Sequence, residues 1–407
     1  MAKQTEPVRL VTVGMGGYGQ YLYNILRTQV DPETYEIVAG VDPFAKKAYH
    51  YRDYVEENIP VFDQLQDAFD ELPKSRRPEV AIIASPIPFH AEQCRIALEN
   101  KCLVLCEKPL TARWEDSLEL AKLSAQYETV LGVGFQWSYY PSVLGIKQDI
   151  LSGVFGKVLE TKALVVWPRT SNYYVGWKGQ LKSPTGEWIL DSVVSNATAH
   201  YLHNLLFLLG DSSDEAALPA EIAAMTYRAN PIPSFDTISL TGRFSSGAKL
   251  LYLATHAAEE SIEPIFKITC EEAVISCDMN DPEPHFRARF NDGQIKAYGP
   301  GTNSRDDAEK IRTFIQRARD PHTPIPCQAE TVIPHLKICN ATSDQVETVN
   351  FPSELITQGS LRANPAFFVT SLAPLMKEAW DRSVPLGALD VEGANWIVEE
   401  QLLEIER

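Results

Sequence analysis

No uninterrupted apolar run in the chain approaches membrane-spanning length, and the first residues, MAKQTEPVRL, lack the apolar core of a secretory signal. Both absences set the expectation of a cytoplasmic protein. Basic residues are scarce as well: 37 Lys and Arg stand against 54 Asp and Glu, a formal net charge of −17 over 407 residues. Such a field repels phosphate backbones and anionic lipid, so neither nucleic acid nor a membrane is an expected partner, while a local basic site for a small anion stays compatible with it. Cysteines are present but lack a pairing pattern. The seven (Cys94, Cys102, Cys106, Cys270, Cys277, Cys327, Cys339) are an odd set whose only close spacing falls in the apolar run KCLVLCE. They read as reduced core thiols, not as a disulfide frame or a zinc knuckle. No internal repeat or low-complexity tract interrupts a composition that suits two packed domains.

What is present changes character near residue 140. Before it, RLVTVG, EIVAGVD, EVAIIAS, CLVLCE and VLGVGF are short, β-branched and almost wholly apolar, as parallel strands buried on both faces are. Helical patterns such as 89–100 and 114–127 alternate with them, which predicts a doubly wound α/β sheet over residues 1–140. After residue 141, KVLETKALVV, IAAMTYR, TISLTGRF, KLLYLATH, FKITC, AVISC, FRARF and QIKAYG follow without long helices between them. Residues 141–407 therefore read as an α+β domain on a mostly antiparallel, open sheet. Helices are predicted at 304–318, at 328–345 and from about 390 to the end, with a proline-marked surface loop at 350–365.

VTVGMGGYG places Gly14, Gly16, Gly17 and Gly19 directly after the first strand and at the start of a helical pattern. In the pattern Gly-x-Gly-x-x-Gly, the first glycine permits a tight turn and the second a close approach of pyrophosphate to the helix N-terminus. The third lets helix and strand pack. The next strand ends in Asp42, 23 residues beyond Gly19. A carboxylate there accepts from a ribose diol and repels a 2′-phosphate, which favours NAD over NADP despite Lys46 and Lys47 nearby. These features spell a Rossmann dinucleotide site.

Residues 189–204, ILDSVVSNATAHYLHN, are harder to read. If helical, they put Ser192, Asn196, His200 and His203 on one face among apolar neighbours. Such a face is either a satisfied polar patch in a core or the wall of an active site, and the stretch alone leaves both open.

The run 82–111 contains Ser85-Pro86-x-x-x-His90 and Glu107-Lys108-Pro109. With the glycine turn before it and a histidine-bearing segment after it, the chain resembles the family of glucose–fructose oxidoreductase, inositol dehydrogenase and MocA (Gfo/Idh/MocA). The resemblance implies a Rossmann domain followed by an α/β domain whose open sheet often mediates oligomers, hence a homodimer or homotetramer. It implies NAD contacts at Ser85, Pro86, His90, Glu107 and Lys108, with Lys108 also facing the reacting hydroxyl. A lysine beside a cationic nicotinamide has its ammonium form disfavoured, which suits a group that takes an alcohol proton. His200 takes the place of the family's catalytic histidine. Four residues before it the family commonly has aspartate, and this chain has Asn196, which can orient a ring or hydroxyl but cannot act as a base.

The segment 165–188 is rich in aromatic residues, with Arg169 and Lys178 among them. Aromatic faces suit the C–H faces of sugars, so Arg169, Tyr174 and Trp177 join Asn196 and His203 as expected substrate contacts. Trp137, just past the last Rossmann strand, completes the set. His200-x-x-His203 lacks convincing further ligands beyond Asp191 and His335, so no metal is expected. The expected function is NAD-dependent oxidation of a secondary hydroxyl of a sugar, glycoside or cyclic polyol. The alternative is redox-neutral glycoside cleavage through a transient keto-sugar and elimination, and a third reading is a non-catalytic NAD- or sugar-binding protein.

Overall fold

The structure, a computed structural model, describes residues 6–283, 285–300, 307–390 and 396–406. It divides into two compact units, residues 1–140 with 305–333 and residues 141–304 with 334–407.

In the first unit, β1 (Val8–Val13), β2 (Tyr35–Val41), β3 (Val61–Phe62), β4 (Val80–Ile83), β5 (Leu103–Cys106) and β6 (Leu131–Val133) pair in parallel in the order β3-β2-β1-β4-β5-β6. Leu10, Val11, Val80, Ile83, Val104 and Leu105 are fully buried. Helices α1 (Tyr18–Gln29), α2 (Tyr51–Glu56), α3 (Leu65–Glu71), α4 (Ile87–Glu99) and α5 (Trp114–Gln126) connect the strands. The strand order reverses between β1 and β4, and in such sheets ligands bind at the carboxyl ends of the strands near that point.

The sequence reading divides the chain once, after residue 140, whereas residues 305–333 belong to the first unit. Their helix (Ala308–Arg319, α8 in chain order) buries Ile311, Phe314 and Ile315. Gly132 makes room for Phe314, whose ring would lie 2.6 Å from any Cβ added there. Past the helix, the Val133 amide donates to the Cys327 carbonyl at 2.9 Å and the Ala329 amide to the Leu131 carbonyl at 3.0 Å, so this return segment extends the sheet edge at β6. An amphipathic pattern announces that a helix packs, not which domain it packs on. Residues 304–306 of the expected helix lie outside the described residues.

In the second unit, α6 (Pro141–Leu151) leads into β7 (Val158–Val166), and α7 (Ala199–Leu208) precedes β8 (Glu221–Arg228), β9 (Thr237–Arg243) and β10 (Lys249–Thr255). Then come β11 (Ile262–Cys270), β12 (Ala273–Asp278), β13 (His285–Phe290) and β14 (Ile295–Pro300). After α9 (Ile333–Gln345) follow β15 (Val349–Asn350), β16 (Ile356–Leu361), β17 (Asn364–Val369), α10 (Leu372–Arg382) and β18 (Gln401–Leu402). The large sheet runs β14-β13-β12-β11-β7-β10-β9-β8-β15, with β18 on β8. It is antiparallel except at β7–β10 and β8–β15. On one face the Tyr252 hydroxyl donates to the Thr198 carbonyl at 2.9 Å at the start of α7. On the other, Leu164, Val166, Met225, Tyr227, Leu251 and Leu253 pack on α10 and the tail around Trp396. Buried Lys147 of α6 donates to the Phe207 carbonyl at 2.6 Å, satisfying a C-terminal carbonyl of α7.

Two expectations are corrected. Residues 350–365 are not a plain loop: β16 and β17 form a hairpin whose two-residue turn, Arg362–Ala363, has φ of 49° and 64°. Left-handed turns of this kind usually announce themselves by Asn-Gly, and their absence hid the hairpin. The tail is not helical over residues 396–406; instead Gln401 and Leu402 pair with Ala224 and Ala223. Residues 391–395 of that expected helix lie outside the described residues. Among the described residues, no helix is long and apolar enough to cross a membrane.

Candidate cofactor and substrate sites

The glycine turn divides its labour. At Gly14, φ is 84° and an added Cβ would lie 2.6 Å from the Ser85 nitrogen; at Gly19 it would lie 1.8 Å from the Gly14 carbonyl oxygen. At Gly16 and Gly17 it would meet nothing within 4 Å. The outer glycines therefore let backbone segments pack, and the middle pair leaves the backbone approachable. No side chain caps the N-terminus of α1, where the positive end of the helix dipole favours an anion. Asp42 spans the neighbouring loops: one carboxylate oxygen accepts the Met15 amide at 2.8 Å, the other the Phe44 amide at 2.7 Å. Each oxygen keeps a further lone pair.

Ser85 follows β4, and its hydroxyl donates to Gln93 Oε1 at 2.5 Å; Pro86 precedes the first turn of α4. Lys108 follows β5 and is half-buried, with a cis peptide to Pro109. Two expected cofactor contacts are placed differently. His90 is buried, with Nε2 at 2.7 Å from the Ser85 carbonyl and Nδ1 at 3.0 Å from that of Pro109, so it ties the Ser85 and Lys108 loops together. Burial pushes its pKa down, against the pull of those carbonyls. Glu107 turns inward against Gly134 and forms a buried ion pair with Lys310 of α8 at 2.5 Å. Trp137 is buried in the turn after β6, beside Gln136, whose Oε1 is buried without a hydrogen-bond partner.

The second unit revises the reading of 189–204. Its α-helix begins only at Ala199, and residues 193–198 are turns. Ser192 and Ser195 cause this: the Ser192 amide donates to Ser195 Oγ at 2.8 Å, and that hydroxyl donates to the Leu190 carbonyl at 2.8 Å. Such side-chain bonds compete with the helical ladder. The four polar residues therefore do not share one helical face. His200 is half-buried in the first turn, whereas His203 is fully buried, with ring centroids 6.0 Å from Phe207 and 6.2 Å from His335. Burial, with His335 and Lys147 nearby, holds its pKa well below the usual histidine range. His203 thus lies in the core of this unit, packed against Phe207 and His335. Asn196, standing where the family has an acid, donates to Asp191 at 2.7 Å, and Asp191 also accepts the Gly179 amide at 2.5 Å.

Gly179 in turn packs on Tyr174 and Ile232, so Tyr174, Asp191 and Asn196 are brought together. The Arg169 guanidinium sits 4.8 Å over the Tyr173 ring, and Lys178 4.4 Å over it. Trp177 is 37% exposed on the same loop. His256, which sequence reasoning missed, is buried beside them, with Nδ1 2.8 Å from the Trp167 carbonyl. Among the described residues, no cluster of three or more His, Cys, Asp or Glu could hold a metal ion.

Residues 8–135 match the family described as "Oxidoreductase family, NAD-binding Rossmann fold" (GFO_IDH_MocA). This unit therefore resembles the NAD-binding Rossmann domain of the Gfo/Idh/MocA oxidoreductases. It is 30% identical over 220 residues to inositol 2-dehydrogenase of Rubrobacter xylanophilus, covering 53% of this chain and 56% of that one. It is 27% identical over 221 residues to 2,7-anhydro-N-acetylneuraminate hydratase of Mediterraneibacter gnavus, covering 52% of each. The chain thus spans about half the length of these curated relatives. An inordinately low identity does not obscure the fold: the structure of an inositol dehydrogenase homologue from Azotobacter vinelandii complexed with NAD+ superposes with a TM-score of 0.67 at 14% identity, over 83% of this chain and 95% of that one.

The residues of this unit fit NAD: an approachable glycine backbone, a helix N-terminus with no side-chain cap and Asp42 stand on the carboxyl edge of the sheet. Lys310 was not foreseen as part of the site's support. Its only signal is a lysine beside Ile311 on the buried face of an amphipathic helix. His256 had less, a single histidine ending an apolar strand.

Proposed function

We propose that the protein is an NAD-dependent oxidoreductase acting on a secondary hydroxyl of a sugar, glycoside or cyclic polyol. The observation that carries this reading is the placement of the glycine turn, Asp42 and the Glu107-Lys108-Pro109 corner along the carboxyl edge of one parallel sheet. Bound NAD would supply the hydride acceptor. Lys108, half-buried at the end of β5, is assigned to hold the reacting hydroxyl and take its proton, a role worth roughly 100- to 10,000-fold in rate. His200 is the second candidate for that proton or for a hydroxyl contact. Asn196, tied to Asp191, orients and does not ionise. Inositol 2-dehydrogenase among the relatives supports a polyol or sugar as substrate.

A relative named as a hydratase favours a second reading, in which oxidation is transient and the net reaction is redox-neutral elimination. A homo-oligomer stays part of the proposal, through a surface other than the sheet face that α10 and the tail cover.

The test is incubation of protein and NAD with inositols and alkyl and aryl glycosides, following absorbance at 340 nm and product masses. NADH with a keto product is the expected result. Cleavage without NADH establishes the second reading, and no conversion across the panel contradicts both.

A further inference from the structure

The loop that follows β7 carries an unbalanced electrostatic feature. Arg169 and Lys178 both lie over the Tyr173 ring, at 4.8 and 4.4 Å, and neither makes an ion pair among the described residues. Two like charges held on one ring repel each other, and in a chain of net charge −17 their isolation from carboxylates is not a matter of supply. The carboxylates whose charges reach Tyr173 and Tyr174 are committed elsewhere. Asp191 accepts from Gly179 and Asn196, and buried Asp236 accepts the Asn230 amide and side chain, both at 2.8 Å.

Around these cations several polar atoms are buried without a hydrogen-bond partner: Arg169 Nε, Tyr174 Oη, Ser234 Oγ and His256 Nε2. Buried polar groups are normally paired, so such a cluster marks a place where a polar ligand belongs. His256 is 2% exposed, and its tautomer is set: Nδ1 faces the Trp167 carbonyl and must donate to it, which leaves Nε2 as an acceptor. Its ring packs 5.6 Å from that of Tyr173, the ring the two cations share. The cluster therefore offers two cationic donors, one planar, together with an acceptor that requires an O–H.

We propose that this cluster recognises an acidic sugar, with Arg169 and Lys178 on a carboxylate and His256 Nε2 accepting a sugar hydroxyl. This deepens the reading of the protein as a sugar- or polyol-acting enzyme by naming its substrate class, and it rests on that reading. A planar carboxylate matches the fork of a guanidinium, and a neutral hydroxymethyl leaves both cations unanswered.

The test is isothermal titration of the NAD-loaded, full-length protein with the methyl glycosides of D-glucuronate, D-galacturonate and D-mannuronate, each against its neutral hexoside. Glucose 6-phosphate serves as a second anion. Wild type is expected to bind one uronide about ten-fold or more tightly than its neutral parent, and Arg169→Gln and, separately, Lys178→Gln to erase most of that preference. Lys178 guards against misfolding of the Arg169 variant, and circular dichroism of both checks it. Equal binding of acid and neutral forms, no binding of any uronide, or preference for glucose 6-phosphate overturns the proposal. Selective uronide binding without turnover or cleavage upholds it and contradicts the catalytic reading instead.

Discussion

The cofactor cradle and the aromatic loop of the second unit are built in opposite ways. The cradle is made of backbone: glycines that admit close approach, a helix N-terminus with no side-chain cap, and an Asp42 already fixed by the Met15 and Phe44 amides. Its supporting side chains are fully engaged, His90 by backbone carbonyls and Glu107 by Lys310. The aromatic loop is made of side chains, and several of its buried polar atoms are unengaged. A site that binds an invariant dinucleotide can be built once into the chain path. The proposed substrate site instead leaves polar atoms of its side chains open.

Substitutions sharpen that contrast. A large effect belongs to Gly19→Ala, where an added Cβ meets the Gly14 carbonyl oxygen at 1.8 Å. Its cost should lie at or beyond the upper end of the roughly 1–3 kcal/mol typical of overpacking, read as lost stability of the first unit in urea. Gly16→Ala, with open space around it, should leave stability unchanged and weaken NAD binding alone, measured by titration of the dinucleotide. If both variants lose stability equally, the division between packing and approach is wrong.

Next comes the buried pair. Lys310→Met strands the Glu107 carboxylate and is expected to cost about 3–5 kcal/mol, while the double change with Glu107→Leu should recover most of it. A double variant no more stable than Lys310→Met would contradict the pairing. Asp42→Asn should weaken NAD about ten-fold or more, because hydrogen bonds to a charged acceptor are worth roughly 1.5–3 kcal/mol. An unchanged dissociation constant would remove Asp42 from the site.

The last effect is a pH dependence in the second unit. Burial, with Arg169 nearby, lowers His256 to about 3 from an unfolded value of 6.5. The unfolded chain then binds the extra proton between those values, so stability is complete above 6.5 and falls as pH drops toward 3. Glu400, raised by burial to about 7 from 4.5, acts in the reverse sense, losing stability as pH rises through that window. His256→Asn should flatten the acid side of a thermal-melt profile and Glu400→Gln the neutral side. Profiles superimposable on wild type would show that neither group titrates as described.

The contrast also explains what could be read beforehand. The parallel strands and the glycine turn were legible because burial on both faces and left-handed backbone each leave a compositional mark, as at Val80–Ile83 and Gly14. The hairpin at Arg362–Ala363 left none, since ordinary residues occupy its left-handed positions. The spacing of Ser192, Asn196 and His200 suggested a longer helix than exists, because the serine side chains spend their hydrogen bonds on the backbone. Asp191, the acid near Asn196, was visible in the sequence but could be placed only once the turns at 193–198 brought the two together. The cluster around His256 depends on segments 80 or more residues apart, which no local pattern reports.

The central claim is that the corner after β5 carries the proton chemistry and the glycine cradle carries the cofactor. It is tested most directly by comparing Lys108→Met with wild type in two measurements, NAD affinity and turnover of a substrate found in the panel. The account predicts an NAD dissociation constant within about two-fold of wild type and turnover lower by roughly 100- to 10,000-fold. Undiminished turnover with intact NAD binding would contradict it.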